Sequence, residues 1–348
     1  MKRRSFLKTV GGVVGTCALG LDTALEASPA ESGAGELPRR VLGRTGARVS
    51  VVGFPGLSLI HHDQERCTRS LHAAFDQGLN YYDVAPAYGN GECEIKMGLG
   101  LQGLERSRYF LACKTKMRDK EGARAELERS LQRLKTDHFD LYQLHHIVTP
   151  AQVKQALGPG GAIETLLKAR DEGKVKALGF SAHTTKGALE AMKGFRFDTV
   201  MFPINFVEFF ERGTGKAVLK LAKEQGAAVL AIKPLSRGAW PQGVEQKRKW
   251  WYRTTETDEE TSLALRWTLS QEPVVAGIPP SFVDLLEKAI EAARHYRPIA
   301  ETEVAQLKQM ASGCGSIFDP EEKQVAFGKP CSMPYPETPW QSCGSDVV

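Results

Sequence analysis

Membrane-length apolar runs, metal-binding spacings and a phosphate-binding glycine loop are all missing from this chain. No apolar run reaches the roughly 20 residues that a membrane-crossing helix needs, so no stable span is expected. The seven cysteines include no C-x-x-C pair or other metal-ligand spacing, so no metal site is expected. The lone G-x-G-x-x-G, at 98–103, follows a helical pattern and precedes a strand, the reverse of a dinucleotide fingerprint. A strong charge of one sign is lacking too. The net +5 is mild, and the basic residues are spread without interleaved aromatics, which argues against a nucleic-acid surface. What remains, 348 residues with 42% hydrophobic and 25% charged, is ordinary globular composition, enough for one large domain or two smaller ones.

The N-terminus stands apart from this. Arg3-Arg4-Ser5-Phe6-Leu7-Lys8 followed by a weakly apolar stretch at 9–21 resembles a twin-arginine export signal; the bland alternative is a chance basic N-terminus. Cleavage after Ala27 or Ala30 fits, giving a signal at 1–30 and a Ser/Pro/Gly/Glu linker at 31–38. Cys17 lies in a segment like a lipoprotein box, but Thr16 sits where a smaller residue is usual, so lipid anchoring is not expected. The expected partner is the twin-arginine machinery and the expected location the periplasm. Cys67, Cys93 and Cys113 lie in periodic segments and read as core thiols. Cys314, Cys331 and Cys343 lie in the tail, where an oxidising compartment would let two of them pair.

From Arg40 onward, β-branched or aromatic runs alternate with amphipathic helical segments. Strands are expected near 50–54, 79–83, 108–113, 139–144, 175–180, 198–202, 228–232 and 273–277. A short hairpin, 40–50, with a Thr45-Gly46 turn precedes them. Eight strand–helix units of this period predict a (β/α)8 TIM barrel at 39–312, closed below by the hairpin and followed by an irregular tail at 313–348. The connection 236–258, with Trp250-Trp251-Tyr252, leaves the face where barrels place their sites. It reads either as a pocket-lining lid or as a helix packing its aromatics on the barrel.

In such a barrel the C-terminal strand ends converge. Asp83 and Tyr88 come from the second unit, Lys114 from the third, and His145 beside His146 from the fourth. A phenol with an ordinary pKa near 10 is a poor acid near neutrality, but a buried ammonium beside it stabilises the phenolate. A carboxylate keeps the ammonium charged, and an imidazole can hold a carbonyl oxygen as it gains negative charge. Singly, Asp83 reads as a turn acid, Tyr88 as a packed ring, Lys114 as a solvated charge and His145 as a core histidine. Together they suit carbonyl reduction.

Asp83, Tyr88, Lys114 and His145 resemble, in order and spacing, the tetrad of the aldo-keto reductases. Arg44-Thr45-Gly46, Asp140-Leu141-Tyr142, Leu178-Gly179-Phe180-Ser181, Asn205 and Lys233-Pro234-Leu235 support the resemblance, which covers about 38–310. It implies Tyr88 as general acid/base, Lys114 as modulator of its pKa, Asp83 as partner of Lys114 and His145 as the carbonyl-orienting group. It also implies a nicotinamide dinucleotide, NADP by family habit with NAD the alternative, and a small carbonyl or sugar substrate.

The cofactor half departs from the family pattern. Ser181 is retained, but Ala182 and Met201 stand where an Asn and a Gln are usual, leaving His183 or Asn205 as substitutes. Ile232-Lys233 replaces a stacking aromatic, and Pro280 replaces a glycine, so phosphate binding falls to Ser281, to the N-terminus of the eighth helix, or to Lys233 or Arg237. The expected cofactor contacts are therefore Ser181, Asn205, Lys233, Pro234, Leu235, Arg237 and Ser281. These departures motivate a competing reading, an exported non-catalytic barrel that binds a dinucleotide or sugar as a sensor or partner protein.

Overall fold

The computed structural model describes residues 36–328, so the expected signal at 1–30 with Cys17, and Cys331 and Cys343, lie outside the described residues. Two short strands, β1 (Arg39–Val41) and β2 (Arg48–Ser50), pair antiparallel as the expected hairpin. Arg44 in its turn donates to the carbonyls of Gln225 (2.8 Å) and Phe197 (2.9 Å) and to Asp198 (3.0 Å), which fastens the hairpin across the barrel floor. Gly43, at φ +51°, brings the turn close enough to Ala228 that a Cβ would sit 2.9 Å from its backbone nitrogen.

Eight parallel strands form the barrel in sequence order: β3 (Gly53–Pro55), β4 (Tyr81–Asp83), β5 (Phe110–Thr115), β6 (Phe139–Ile147), β7 (Val175–Ala182), β8 (Thr199–Pro203), β9 (Ala228–Ile232) and β10 (Val274–Ile278). A bridge between Val52 and Gly277, whose N–H donates to the Val51 carbonyl at 2.9 Å, closes the ring. The run expected at 50–54 divides: Ser50 ends the hairpin and the barrel strand starts at Gly53. Alternation along the strands separates two cores. Tyr81, Phe110, Leu141, Ala177, Met201 and Leu230 fill the interior with the hairpin's Leu42 and Val49. Their neighbours Tyr82, Leu111, Tyr142, Leu178 and Val229 face the helices.

The helices are α1 (Gln64–Asp76), α2 (Glu92–Gly100), α3 (Lys120–Leu134), α4 (Pro150–Leu157), α5 (Ala162–Asp171), α6 (Thr185–Gly194), α7 (Phe206–Arg212), α8 (Lys216–Gln225), α9 (Asp258–Leu269), α10 (Val283–Arg294), α11 (Glu301–Ala311) and α12 (Asp319–Ala326). Several begin on side-chain caps that satisfy first-turn N–H groups: Asp63 for α1, Asp119 for α3, Thr184 for α6 and Thr257 for α9.

The tail is not wholly irregular, because α12 lies within it. The Ser316 hydroxyl and Ile317 N–H donate to the buried Glu208 carboxylate (2.6 and 2.7 Å), and Glu322 accepts from Thr185 N–H and hydroxyl (both 2.7 Å). The loop after β9 is not helical at Trp250–Tyr252. An antiparallel bridge between Ser236 and Thr254 makes it a strap, with Trp250 and Tyr252 buried against Ile317 and Phe318. Cys67, Cys93 and Cys113 are buried free thiols, as expected.

Gly98 lets α2 approach α3, since a Cβ there would clash with the Arg133 carbonyl and lie 2.7 Å from Leu134 Cα. Gly98→Ala is therefore expected to lower the unfolding free energy by about 1–3 kcal/mol, read as an earlier midpoint in urea or thermal unfolding.

Candidate active site

Strand length decides which side chains meet. β4 stops at Asp83, whereas β5 runs on to Thr115 and carries Lys114 past the paired Asp83–Ala112 position. The fully buried Lys114 ammonium donates to Asp83 Oδ1 in a short contact, to the Val84 carbonyl at 3.1 Å and to the Tyr88 hydroxyl at 3.4 Å. The Tyr81 hydroxyl donates to the other Asp83 oxygen at 3.2 Å. Tyr88 sits half-buried on the loop after β4, where Gly89 and Asn90 (φ 59° and 52°) turn the chain sharply. The His145 ring stands edge-on to Tyr88, with centroids 5.8 Å apart. The structure thus brings together all four residues expected to carry the chemistry.

Burial pushes the Asp83 carboxyl up, opposed by the Lys114 charge and its hydrogen bonds. Burial, then the Lys114 charge, holds His145 well below the usual histidine range, so its ring is neutral. A neutral imidazole keeps one N–H to donate, and a phenol beside an ammonium is set to release a proton.

These groups open into a cavity of about 540 Å³ walled by the strap, the loop after β10 and the strand ends. The expected cofactor residues divide. Ser181, Lys233 and Ser281 line the cavity. Asn205, Pro234, Leu235 and Arg237 are not among its lining residues. Asn205 instead caps α7, accepting from Glu208 N–H at 3.0 Å, and its amide nitrogen is buried without a partner. Pro234 and Leu235 are buried behind the wall, and Arg237 forms a short ion pair with Glu260 of α9. The Ser181 hydroxyl accepts the His146 N–H at 2.8 Å. His183 lines the cavity, as one of the two substitutes proposed for the missing amides.

His146 is the residue that strand alternation concealed. A register shift between Leu144 and Ile147 makes a bulge, and His146 takes φ 60°, turning its ring into the same cavity as His145. Arg118 donates to the carbonyls of both histidines (2.7 and 3.1 Å) and secures the bulge. No periodicity announces such an insertion.

Comparisons with known proteins bear on the fold and the family. The model of the Aldo/keto reductase family matches residues 60–312. The chain is 32% identical over 191 residues to aldo-keto reductase YhdN of Bacillus subtilis (strain 168), covering 51% of this chain and 54% of that protein. It is 29% identical over 215 residues to L-galactose dehydrogenase of Arabidopsis thaliana, covering 57% and 66%. The chain thus spans about half to two thirds of the length of these curated relatives. Among solved structures, the holo form of aldo-keto reductase AKR11C1 from Bacillus halodurans aligns with TM-score 0.65 at 23% identity, over 80% of this chain and 98% of that one. An aldo-keto reductase from Klebsiella pneumoniae in complex with NADPH aligns with TM-score 0.61 at 22% identity, over 78% and 94%.

The buried histidines make stability fall with acid. His146 is lowered by burial, then by Lys116, to about 3, so between pH 6.5 and 3 the unfolded chain binds a proton that the folded ring refuses. Stability is present above that window and is lost through it, at up to about 1.4 kcal/mol per pH unit for each such ring. His146→Asn, which tolerates the left-handed backbone, is expected to make the slope of unfolding free energy against pH shallower by about one proton in urea titrations at pH 6.5 and 4.5.

Proposed function

Because the chain belongs to the aldo/keto reductase family, we propose that it is a nicotinamide-dependent oxidoreductase interconverting a carbonyl compound (aldehyde, ketone or sugar) and its alcohol. The observation that carries this reading is the single Lys114 ammonium bonded at once to Asp83 and to the Tyr88 hydroxyl at the base of a cavity. Tyr88 gives its proton to the carbonyl oxygen, and the phenolate left behind is stabilised by Lys114 until solvent reprotonates it. Asp83 keeps the ammonium aimed. The neutral His145 donates to the same oxygen and orients the carbonyl over Tyr88. In the alcohol-to-carbonyl direction each proton moves the opposite way.

The cavity suits such a cofactor. Ser281 lies in the wall just before α10, whose N-cap Phe282 offers no side-chain bond, leaving first-turn N–H groups for a diphosphate. Lys249 lines the same wall, and Met201 and Ile232 offer it apolar surface for a nicotinamide ring. When bound, the dinucleotide would supply the hydride to the carbonyl carbon. NADP(H) is the family's usual form, with NAD(H) the alternative. Export of the folded protein to the periplasm belongs to this proposal and rests on the Arg3-Arg4 signal.

The test is NADPH oxidation with a panel of aldehydes and sugars, followed by absorbance. Tyr88→Phe is expected to lower kcat by roughly 10²–10⁴-fold while dinucleotide binding persists. If the protein neither binds a dinucleotide nor turns over, and Tyr88→Phe changes nothing, the non-catalytic reading takes its place.

A further inference from the structure

Tyr88 and Lys114 belong to separate segments, and the bond between them is long. At 3.4 Å it sits near the outer limit of a hydrogen bond, so a small shift of either segment breaks it. Whatever fixes the turn of Tyr88 against the strand of Lys114 therefore governs the phenol.

That turn is strained. Gly89, Asn90 and Gly91 follow Tyr88 in succession at φ 59°, 52° and 91°, all left-handed. Strain of this kind persists where surrounding structure imposes it. A Cβ on Gly89 would lie 2.7 Å from Ile60 Cδ1, and one on Gly91 would clash with the Arg133 guanidinium of α3. Arg133 in turn donates to Glu94 Oε2 at 3.0 Å. Glu94 stands in the first turn of α2 and is wholly buried. Its other oxygen accepts the thiol of Cys113 at 3.6 Å, and Cys113 immediately precedes Lys114 on β5. One carboxylate thus touches the residue before Lys114 and, through Arg133, the turn after Tyr88.

Other contacts hold the two supporting elements. Glu126 of α3 accepts from the Thr115 hydroxyl at 2.6 Å and the Lys116 N–H at 3.0 Å, which fastens β5 on the far side of Lys114. One helical turn beyond Glu94, Gly98 keeps α2 close against α3.

We propose that Glu94 and Arg133 are positioning residues that lock the Tyr88 turn in register with Lys114. Their bearing on catalysis rests on Tyr88 as the proton donor of the proposed reaction. Neither lines the cavity, so neither is expected to contact substrate.

The two residues carry opposite charges, and that separates positioning from a long-range field. Acting by charge alone, loss of the Glu94 carboxylate would ease ionisation of Tyr88, and loss of the Arg133 guanidinium would hinder it. Loosening the turn takes the phenol away from Lys114 in either case, so both changes hinder it. The measurement is near-ultraviolet phenolate absorbance of the full chain against pH. Subtracting the same chain carrying Tyr88→Phe isolates Tyr88. Glu94→Gln and Arg133→Met are both expected to move its transition to higher pH, with thermal melts confirming that each variant is folded. Glu94→Asp, which keeps the charge but shortens the reach, is expected to act in the same direction. In NADPH oxidation the three variants are expected to lower kcat about ten-fold or more, with KM within about two-fold. Opposite movements in Glu94→Gln and Arg133→Met, or a transition that Glu94→Gln and Glu94→Asp leave unmoved, overturn the proposal. An unchanged kcat in an active enzyme overturns it as well. Transitions that rise in a protein reducing no carbonyl would support the positioning while removing the proposed reaction.

Discussion

Everything at the rim depends on an ion pair that has almost no water around it. Lys114 is fully buried and Asp83 is 2% exposed, so each has given up hydration worth several kcal/mol per ion, as an order of magnitude. Attraction offsets that loss only with good geometry and with the remaining donors and acceptors satisfied. Here the Val84 carbonyl and the Tyr88 hydroxyl take two ammonium hydrogens, and Tyr81 satisfies the second carboxylate oxygen. Tyr88 is therefore part of what makes the buried charge tolerable. The fold and the chemistry share the same hydrogen bonds, and a change that loosens one loosens the other.

The barrel supplies the rigidity that this pair needs. Its strands end at different heights: β4 at Asp83, β5 at Thr115 and β6 at Ile147. Those offsets, more than the loops, bring an acid, an amine and an imidazole into one layer. Below them lie the hairpin's Leu42 and Val49 and the packed interior side chains. Above them the bulge at His146, secured by Arg118 and Ser181, turns a second imidazole inward.

Much of this was legible because it rests on periodicity and strand ends. Eight β-rich runs at regular spacing predicted the barrel, and Asp83, Lys114 and His145 at the ends of theirs predicted the convergence. What escaped was non-periodic. A one-residue bulge inverts the side of the following residue, so no alternation pattern could assign His146 a place beside His145 in the cavity. Asn205 followed by Glu208 carries the ordinary signature of a helix cap, and the resemblance to a cofactor ligand overrode it. Arg237 was a free cation on paper. Its partner Glu260 lies 23 residues away on α9, and sequence alone cannot pair them. The helix in the tail was hidden by its low apolar content, since it is held chiefly by carboxylates reaching to and from other elements.

Those carboxylates connect the tail to the chemistry. Burial raises the Glu208 carboxyl, while Ser316 and Ile317 hold it down by hydrogen bonds that exist only when the tail lies across the barrel. That docking presents Phe318 to Trp251, His183 and Lys233, and the strap closes its aromatics onto the same surface. The two segments share one apolar cluster, in which Trp250 and Tyr252 pack with Ile317 and Phe318. The strap walls one side of the cavity with the tail packed behind it, and that apolar surround lowers the effective dielectric near Lys114 and Tyr88. Two stretches outside the regular strand–helix repeat thus set the electrostatic strength of a site whose reacting groups all lie within it.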